Sequence, residues 1–373
     1  MPNKRLQNIL FVGSYNEQYP RNAVIIKGLR KLGITVSEFN IKSKGILNSL
    51  SEIRKNFKTL KDGKYDLILL HSPNMLQMIF SKLLSKIKRI PLVFDIFLSK
   101  YLSYYHDRKF YQEIKVPKLL VRIYFYLLDI LECRTGDLLL LDTYSQIKYM
   151  HEKFNIKLKK FKRLLVGAQD DIFLPTERKD QQVDTFLVGY WGSFIPLHGV
   201  DYIIQAANIL KDETDIKFQL IGDGITYNRD LRTVEEFQLN NIEFIKKNFV
   251  INQELHLLPN YISKFDVGLG IFGDTQKSKI VIPNKIFEGI AMKIPMICAD
   301  STAIREIFTD NENILLCIRK KPETLANAIL TLKNDVGLSN KIANQGYQLF
   351  LKRCSMERIG EHLVSILECY LNK

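Results

Sequence analysis

The chain has 373 residues, of which 46% are hydrophobic and 25% charged, values typical of a folded protein rather than a disordered one. Because this length exceeds what one hydrophobic core usually fills, we expect two domains. The formal net charge of +14 is uneven: residues 1–175 hold 31 Lys and Arg against 15 Asp and Glu, and the remainder holds 23 against 25. A basic first half favours an anionic partner, which is nucleic acid, an acidic membrane surface or a phosphorylated substrate.

The spacing of the cysteines and the lengths of the apolar segments indicate the cellular compartment. The five cysteines are scattered and form no C-x-x-C pair, which argues against a disulfide framework or a zinc site. The first residues carry no signal-peptide hydrophobic region, and the most apolar helical stretch, 119–131, is too short to span a bilayer. We expect a cytoplasmic protein, peripheral on the cytoplasmic face of the plasma membrane if its basic half binds acidic lipid.

Short apolar runs alternate with amphipathic helical patterns along the whole chain, which is typical of βαβ units and parallel sheets. In the first half, strands are expected at 8–12, 35–39, 67–71, 92–95, 138–142 and 161–165, with helices at 22–32, 46–60, 74–87, 119–134 and 143–154. In the second half, strands are expected at 185–190, 217–221, 242–244, 267–271, 296–299 and 314–316, with helices at 200–211, 283–292, 324–332 and 338–351.

These two series predict an α/β chain of two doubly wound Rossmann-like domains. The N-terminal domain is expected at 1–170 and the C-terminal domain at 184–355, joined by a polar linker at 171–183 that contains Pro175. A last amphipathic helix at 356–373 is expected to pack back on the N-terminal domain. Open parallel sheets bind ligands at the carboxyl ends of their strands, so the motifs should line a cleft there.

The segment 282–297 sets a lysine and a glutamate one helical turn apart where a loop becomes a helix. Pro283 suits a first helical turn because its missing N–H has no intrahelical partner there. Lys285 and Glu288 share a face near the helix N-terminus, where free N–H groups attract phosphate. The cation suits a diphosphate and the carboxylate suits a sugar diol, whereas the alternative is a solvated surface pair.

Glycine turns follow two strands of the second half. Gly192 and Gly199 permit close approach of the backbone to a ligand, and His198 between them either donates to a phosphate oxygen or bonds a backbone carbonyl. Gly222 and Gly224 follow the next strand, where backbone amides can meet a base or ribose, although Gly-Asp-Gly is also an ordinary turn.

Two features of the first half could carry chemistry. Gly13 ends a strand and would let an acceptor or a pyrophosphate lie against the loop, but a full G-x-G-x-x-G is missing. Asp95 ends a buried strand, where its carboxylate could take a proton from a hydroxyl, orient a sugar or cap the next helix. An aromatic and polar segment that includes Tyr101, Asp107 and Arg108 follows.

In this order, the segments resemble those of the family 4 retaining glycosyltransferases, over nearly the whole chain. The second half carries the resemblance, since Gly192 to Gly199, Gly222 to Gly224, Pro283 to Glu288 and Ser301 to Glu306 keep the family's order and spacing. Residues 19–22 and 95–108 look like the acceptor-side loops of bacterial sugar transferases. The resemblance implies the GT-B fold, in which two Rossmann-like domains face a central cleft.

The resemblance also implies roles for matching positions. Glu288 would bind the ribose diol of a nucleotide sugar, and the turn at Gly192 would hold its diphosphate. The donor-binding positions are then Gly13, Gly192, Ser193, Gly199, Gly222, Gly224, Asn284 and Glu288. The acceptor-side positions are Ser14, Tyr15, Arg21, Asp107 and Arg108.

Three positions depart from the family pattern. Ile280 stands where many members have a second glutamate. Ser193 and His198 stand where many carry arginine and lysine against the diphosphate, so we expect Lys285 to supply the missing charge. A frequent His-Asp pair at a strand end is Phe-Asp here, which leaves Asp95 as the candidate base. The expected catalytic residues are therefore Lys285, His198 and Asp95.

The sequence thus predicts sugar transfer from a nucleotide-sugar donor to a hydroxyl of a glycan or lipid-linked acceptor, with retention of configuration. It contains no Asp-x-Asp pair, P-loop, G-x-S-x-G elbow or H-E-x-x-H motif, so no metal or other cofactor is expected. Two alternatives remain at this point. One is a sugar-nucleotide isomerase of the same architecture, and the other, which explains fewer motifs, is a basic nucleic-acid-binding protein.

Overall fold

The computed structural model describes residues 5–41, 46–71, 75–112, 116–176 and 185–372, which form two compact units. The first unit comprises Met1–Tyr105, Lys109–Val166 and Met356–Lys373, and the second comprises His106–Arg108 and Gly167–Ser355. The division after Val166 precedes the boundary expected after residue 170, because Ala168 already bonds the second unit through the carbonyl of Cys354 at 3.2 Å. Residues 177–183 of the expected linker lie outside the described residues.

The first unit is built on a parallel sheet of six strands. The strands are β1 (Asn8–Gly13), β2 (Thr35–Asn40), β3 (Leu67–His71), β4 (Leu92–Phe97), β5 (Leu138–Leu141) and β6 (Phe161–Arg163), in the spatial order β2-β1-β3-β4-β5-β6. The helices between them are α1 (Pro20–Lys31), α2 (Ile46–Asp62), α3 (Met75–Lys88), α4 (Lys118–Thr135) and α5 (Tyr144–Phe154). A π-helix at Tyr101–Asp107 follows β4. Asn74, where the sequence placed the start of the third helix, lies outside the described residues.

The second unit repeats this plan. Its strands are β7 (Phe186–Trp191), β8 (Ile216–Gly222), β9 (Ile242–Lys246), β10 (Val267–Leu269), β11 (Met296–Ala299) and β12 (Leu315–Cys317), in the order β12-β11-β10-β7-β8-β9. Its helices are α6 (Val200–Ile209), α7 (Tyr227–Glu236), α8 (Pro259–Ile262), α9 (Asn284–Ala291), α10 (Pro322–Asn334) and α11 (Val336–Arg353). The sequence pattern did not predict α7, because seven of its ten residues are polar and its apolar residues are few, although Tyr227, Leu231 and Val234 recur at helical spacing.

Both sheets are covered on their two faces, which explains the continuous apolar strands. The residues of β3 and β5, LILLH and LLLL, are buried throughout, as strands of a two-sided parallel sheet must be. Each unit has its own core of aliphatic and aromatic side chains on these strands and the inner faces of its helices. The predicted α/β class with two doubly wound parallel sheets is confirmed.

The C-terminal helix α12 (Met356–Leu371) belongs to the first unit, where it packs on α1. The two helices approach so closely at Gly28 that a Cβ there would lie 2.2 Å from the carbonyl oxygen of Met356. A Cβ at Gly360 would lie 2.6 Å from the carbonyl oxygen of Gly28. Glu368 also accepts the backbone N–H of Leu6 at 3.0 Å, which ties α12 to the start of the chain.

The strand orders place one topological switch point in each sheet, where loops diverge and leave a crevice. In the first sheet it lies between β1 and β3, whose last residues, Gly13 and His71, are paired. In the second sheet it lies between β7 and β10, so the loop that follows Trp191 is at the switch point. Several residues that the sequence singled out, among them Gly13, Gly192 and His198, lie at or directly after these two switch points.

Candidate functional site

The loop after β7 is shaped by two glycines with positive φ, Gly192 at +136° and Gly199 at +66°. At Gly199 a Cβ would lie 2.2 Å from the amide nitrogen of Gly273, so only glycine allows the loop to pack against the segment after β10. At Gly192 a Cβ would lie 3.2 Å from Nζ of Lys285 and 3.5 Å from Cε1 of His198. The missing side chain at 192 thus leaves space between an amine and an imidazole.

Lys285 lies in the first turn of α9 and is only 4% exposed. Its Nζ is 3.6 Å from the centre of the Tyr190 ring, and no hydrogen-bond partner for it exists among the described residues. Burial lowers the pKa of this amine well below its usual range, although the nearby Glu288 opposes the shift. A buried amine with no bonding partner, in the first turn of a helix, is suited to binding an anion. Pro283 is the residue before this helix rather than its first residue, since it has an extended backbone with ψ of 146°.

Glu288 is held by Trp191, which the sequence did not mark as functional. The indole Nε1–H of Trp191 donates to Oε2 of Glu288 at 2.7 Å, and the indole stacks on Phe265. Burial raises the pKa of Glu288 to about 7, while the Trp191 bond and the charge of Lys285 oppose the rise. The carboxyl therefore changes charge near neutral pH, and Trp191 leaves its second oxygen for another donor.

His198 is oriented by the backbone of its own loop. Its Nδ1 is 2.5 Å from the carbonyl oxygen of Ser193, and the hydroxyl of Tyr190 lies 2.7 Å from the same oxygen. Nδ1 also lies 2.7 Å from the Tyr190 hydroxyl. Because a carbonyl only accepts, the assignment that satisfies Ser193 places a proton on Nδ1 and lets the tyrosine hydroxyl donate to the same oxygen. Burial and then the charge of Lys285 lower the pKa of His198 well below its usual value. The neutral ring presents Nε2 as an acceptor, and of the two alternatives left open by the sequence, the bond to a backbone carbonyl is present at Nδ1.

Further cations surround this loop within the second unit. The charges of Lys277 and Arg108 also lower the pKa of His198, after the effects of burial and Lys285. Arg108 and Asp107 belong to the second unit, although they precede its other residues by more than fifty positions. Burial raises the pKa of Asp107, and Lys277 and Arg108 counteract this shift. The expected acceptor-side residues Asp107 and Arg108 therefore lie near the His198 loop rather than with the first unit.

The glycines at the end of β8 and shortly after it, Gly222 and Gly224, serve loop packing. A Cβ at Gly222 would lie 1.8 Å from the carbonyl oxygen of Gly192, and one at Gly224 would lie 2.4 Å from that of Phe194. The amide of Phe194 in turn donates to the carbonyl oxygen of Asp223 at 2.9 Å. Both glycines are thus explained by contact with the loop after β7, and the expected donor contact is not needed to account for them.

In the first unit, Asp95 is fully buried between two partners. Arg21 Nη2 donates to its Oδ1 at 2.7 Å, and His71 Nδ1 is 2.7 Å from its Oδ2. Burial acts to raise the pKa of Asp95, but the charge of Arg21 and the bond to His71 outweigh it and hold the pKa well below its usual range. This corrects the expectation of a base at Asp95, because a paired carboxylate with no solvent access cannot take a proton from a substrate hydroxyl.

The same network corrects the acceptor-side expectation for Arg21. Its remaining Nη1 donates to the carbonyl oxygens of Leu164 and Leu165 at 2.7 and 2.9 Å, and the side chain is 0% exposed. The residue that reaches the end of the sheet beside Gly13 is His71, for which the sequence pattern predicted a strand and no functional role. A histidine after an apolar run, LILL, was the available signal.

Ser14 and Tyr15 follow β1 and bond to β2 and to the residue directly after it. The hydroxyl of Ser14 donates to the carbonyl oxygen of Ile41 at 2.9 Å, and that of Tyr15 donates to Glu38 at 2.7 Å. Burial and the Glu38 bond raise the pKa of Tyr15. Both side chains fix the loop beside Gly13.

No cluster of three or more His, Cys, Asp or Glu with metal-binding geometry occurs in the described ranges. Within the same ranges, no helix combines the length and apolarity needed to cross a bilayer.

Known proteins are similar to this chain in fold and, over part of the second unit, in sequence. Residues 185–335 match the family model described as glycosyl transferases group 1. MJ1178 of Methanocaldococcus jannaschii, named an uncharacterized glycosyltransferase, is 29% identical over 175 residues, which are 45% of this chain and 43% of that protein, so the match spans less than half of either.

Two solved structures are similar over almost the entire chain. HepE of Anabaena, in complex with UDP and glucose, has a TM-score of 0.70 at 17% identity and covers 97% of this chain and 100% of its own. Sucrose-phosphate synthase of Thermosynechococcus elongatus has a TM-score of 0.73 at 14% identity, with 98% and 99% covered. The chain therefore has the GT-B fold, and its residues 185–335 are similar to the group 1 glycosyl transferases.

Proposed function

We propose that this chain is a family 4 retaining glycosyltransferase, which moves a sugar from a nucleotide-sugar donor to a hydroxyl of a glycan or lipid-linked acceptor. The setting would be polysaccharide or glycoconjugate synthesis at the cytoplasmic face of the plasma membrane. The observation that carries the proposal is the buried, unbonded amine of Lys285, which lies beside Gly192 at the start of α9.

The diphosphate of the donor supplies the hydrogen-bond acceptors and the negative charge that the amine of Lys285 lacks. A buried cation without a partner is costly, so the empty site favours the neutral amine, and a bound dianion restores the charge and its hydrogen bonds. Lys285 lies in the first turn of α9, so the free N–H groups and the positive end of the helix dipole would add to its effect. Both groups act most strongly on the charge that develops as the diphosphate leaves.

Glu288 and His198 would orient the rest of the donor. One oxygen of Glu288 is taken by Trp191, and the other accepts from the ribose diol. His198 Nε2 would accept from a hydroxyl of the transferred sugar, since its Nδ1 is bound to Ser193. HepE has been crystallised with UDP-glucose, and we infer a uridine diphosphate sugar as the first donor to test.

The acceptor hydroxyl loses its proton during transfer, and we propose that the leaving diphosphate oxygen takes it. Attack from the same side as departure gives retention, and a separate base is then unnecessary. This agrees with the enclosed position of Asp95. Charge stabilisation by Lys285 and the helix N-terminus would serve in place of a resident metal.

The proposal is tested by titration calorimetry of the full chain with uridine, guanosine, adenosine and thymidine diphosphate sugars, followed by product analysis with and without acceptors. We expect one nucleotide class to bind and its sugar to move only when an acceptor is present. An altered sugar still attached to its nucleotide, formed without acceptor, would show an isomerase instead. No binding of any nucleotide sugar would remove the proposed function.

A further inference from the structure

We propose that the exposed faces of α3 and α4 form one surface that docks on a bilayer rich in anionic lipid. This surface would bring the chain to a membrane-held acceptor, which deepens the proposed function. Only the biological purpose of the surface rests on that proposed function. Both helices belong to the first unit.

The outer face of α3 is apolar along its whole length. Met75, Ile79, Leu83 and Ile87 recur at intervals of four residues and are 45%, 58%, 52% and 45% exposed. This spacing places the four side chains in one row on the helix. A row of large apolar side chains in water is unusual for a helix whose other face already fills the core with Met78, which is buried.

Helix α4 has a second exposed apolar face. Its inner face is buried through Val121, Phe125 and Leu128. Its outer face exposes six large side chains to between 40% and 62%, namely Leu119, Leu120, Ile123, Tyr124, Leu127 and Leu131. The helix is thus apolar on two sides, and its inner face alone is covered by the described residues of its unit.

The two exposed faces adjoin each other. An open groove of about 280 Å³ separates the helices and is lined by Ile79 and Leu83 of α3 and by Leu131 of α4. Lys82 and Lys86 border the same groove. The apolar side chains therefore form one continuous area with cations along it, which we call the α3–α4 face.

Cations outnumber acids around this face, where Lys82 is paired with the carboxylate of Asp137 at 2.8 Å. The exposed charged residues of α4 are Lys118, Arg122 and Arg134. The carboxylates of α4, Asp129 and Glu132, are 0% and 2% exposed. Helix α3 contains lysines and no acidic residue.

These buried carboxylates are used inside the unit. Asp129 accepts the hydroxyl of Ser99 at 2.5 Å and the backbone N–H of Lys100 at 2.9 Å, and Glu132 accepts from the Lys100 side chain. The acids therefore face the core, and the cations remain outside.

The combination of exposed apolar side chains and neighbouring cations favours an anionic bilayer as the partner of this face. Apolar side chains that enter the headgroup boundary, with Lys and Arg beside them, are typical of helices that lie on acidic membranes. A second copy of the chain seated on the same face would bring cations against cations in an apolar contact, which is unfavourable. Tyr124 adds an aromatic ring with a polar end, which suits the interface.

The test is flotation of the full chain with phosphatidylcholine vesicles that contain about 30% phosphatidylglycerol, and with phosphatidylcholine alone. We expect the acidic vesicles to bind the chain at low salt at least tenfold more strongly. The triple variant Leu119→Ser, Ile123→Ser, Leu127→Ser should lose most of this binding. The matched control, Ile225→Ser, Ile251→Ser, Ile318→Ser, alters three exposed isoleucines of the second unit and should keep it.

A charge series completes the test. Lys118→Ala, Arg122→Ala, Arg134→Ala should weaken binding to acidic vesicles, whereas Lys211→Ala, Lys264→Ala, Lys341→Ala removes equal charge from the second unit and should not. Equal losses in both series, equal binding to neutral vesicles, or a dimer in sedimentation that only the α3–α4 variants dissociate would overturn the inference. Calorimetry with a nucleotide sugar is run in parallel, so that vesicle binding without donor binding counts against the proposed function and not against this surface.

Discussion

Trp191 donates its indole N–H to Oε2 of Glu288 at 2.7 Å, so the last residue of β7 fixes the carboxylate of α9. Replacing Trp191 with Phe removes this donor but retains a ring to stack on Phe265. We expect the affinity for a nucleotide sugar to fall by about tenfold, the value of one bond to a charged group. Calorimetry at pH 8 measures the loss, and thermal unfolding within a few degrees of the wild type shows that the fold is retained. Unchanged affinity would mean that Trp191 does not orient Glu288.

Lys285 carries the diphosphate assignment, and its removal should affect the transition state most. For Lys285→Ala we expect kcat to fall by about 10² to 10³, as for other preorganised donors to a developing charge. Lys264→Ala removes an exposed lysine from the same unit and serves as the control. Near-normal turnover of Lys285→Ala would exclude this lysine from catalysis.

Protonation of Lys285 should accompany donor binding. Burial depresses the pKa of the amine in the empty site, and a bound diphosphate favours its charged form, so binding raises that pKa and takes up a proton. The measurement is calorimetry at about pH 8.5, where the nucleotide phosphates are already ionised, in two buffers of different ionisation enthalpy. Proton uptake should be absent in Lys285→Ala. Equal uptake in both proteins would assign the proton to another group.

The pH dependence of donor binding should follow Glu288. Its pKa of about 7 means that the carboxyl is largely protonated below neutral pH and ionised above it. A ribose diol donates to the ionised form, so affinity should rise between about pH 6 and pH 8. Glu288→Gln should bind more weakly at pH 8 and lose this rise. A wild-type affinity that is flat over the same range would contradict the ribose assignment.

Asp95 should be important for stability rather than proton transfer. Asp95→Asn leaves the guanidinium of Arg21 buried without its counter-charge, which costs about 3–5 kcal/mol of unfolding free energy. Because the folded-state pKa of Asp95 lies below the unfolded value, its stabilisation is present above about pH 4 and is lost as the pH falls further. Urea unfolding at pH 7 and pH 3 measures both effects. A variant that unfolds like the wild type would show that the pair contributes nothing.

The sequence by itself determined the fold class and the order of the elements. Apolar strands such as β3 and β5 are buried on both faces, so their composition alone indicated parallel sheets, and helix periodicity placed most of the remaining elements. The segment with Lys285 and Glu288 was also visible, because a cation and a carboxylate on one helical face are local in the chain.

Only the tertiary structure decided which side chains meet. Asp95 looked like an available base because the sequence does not show that Arg21 and His71, 74 and 24 positions away, pair with it. Trp191 and Glu288 are 97 positions apart, and the sequence shows neither their bond nor the burial that leaves Lys285 without one. Protonation and pairing depend on contacts between distant elements and on the water those contacts exclude, so they are set by packing and cannot be obtained from local sequence patterns.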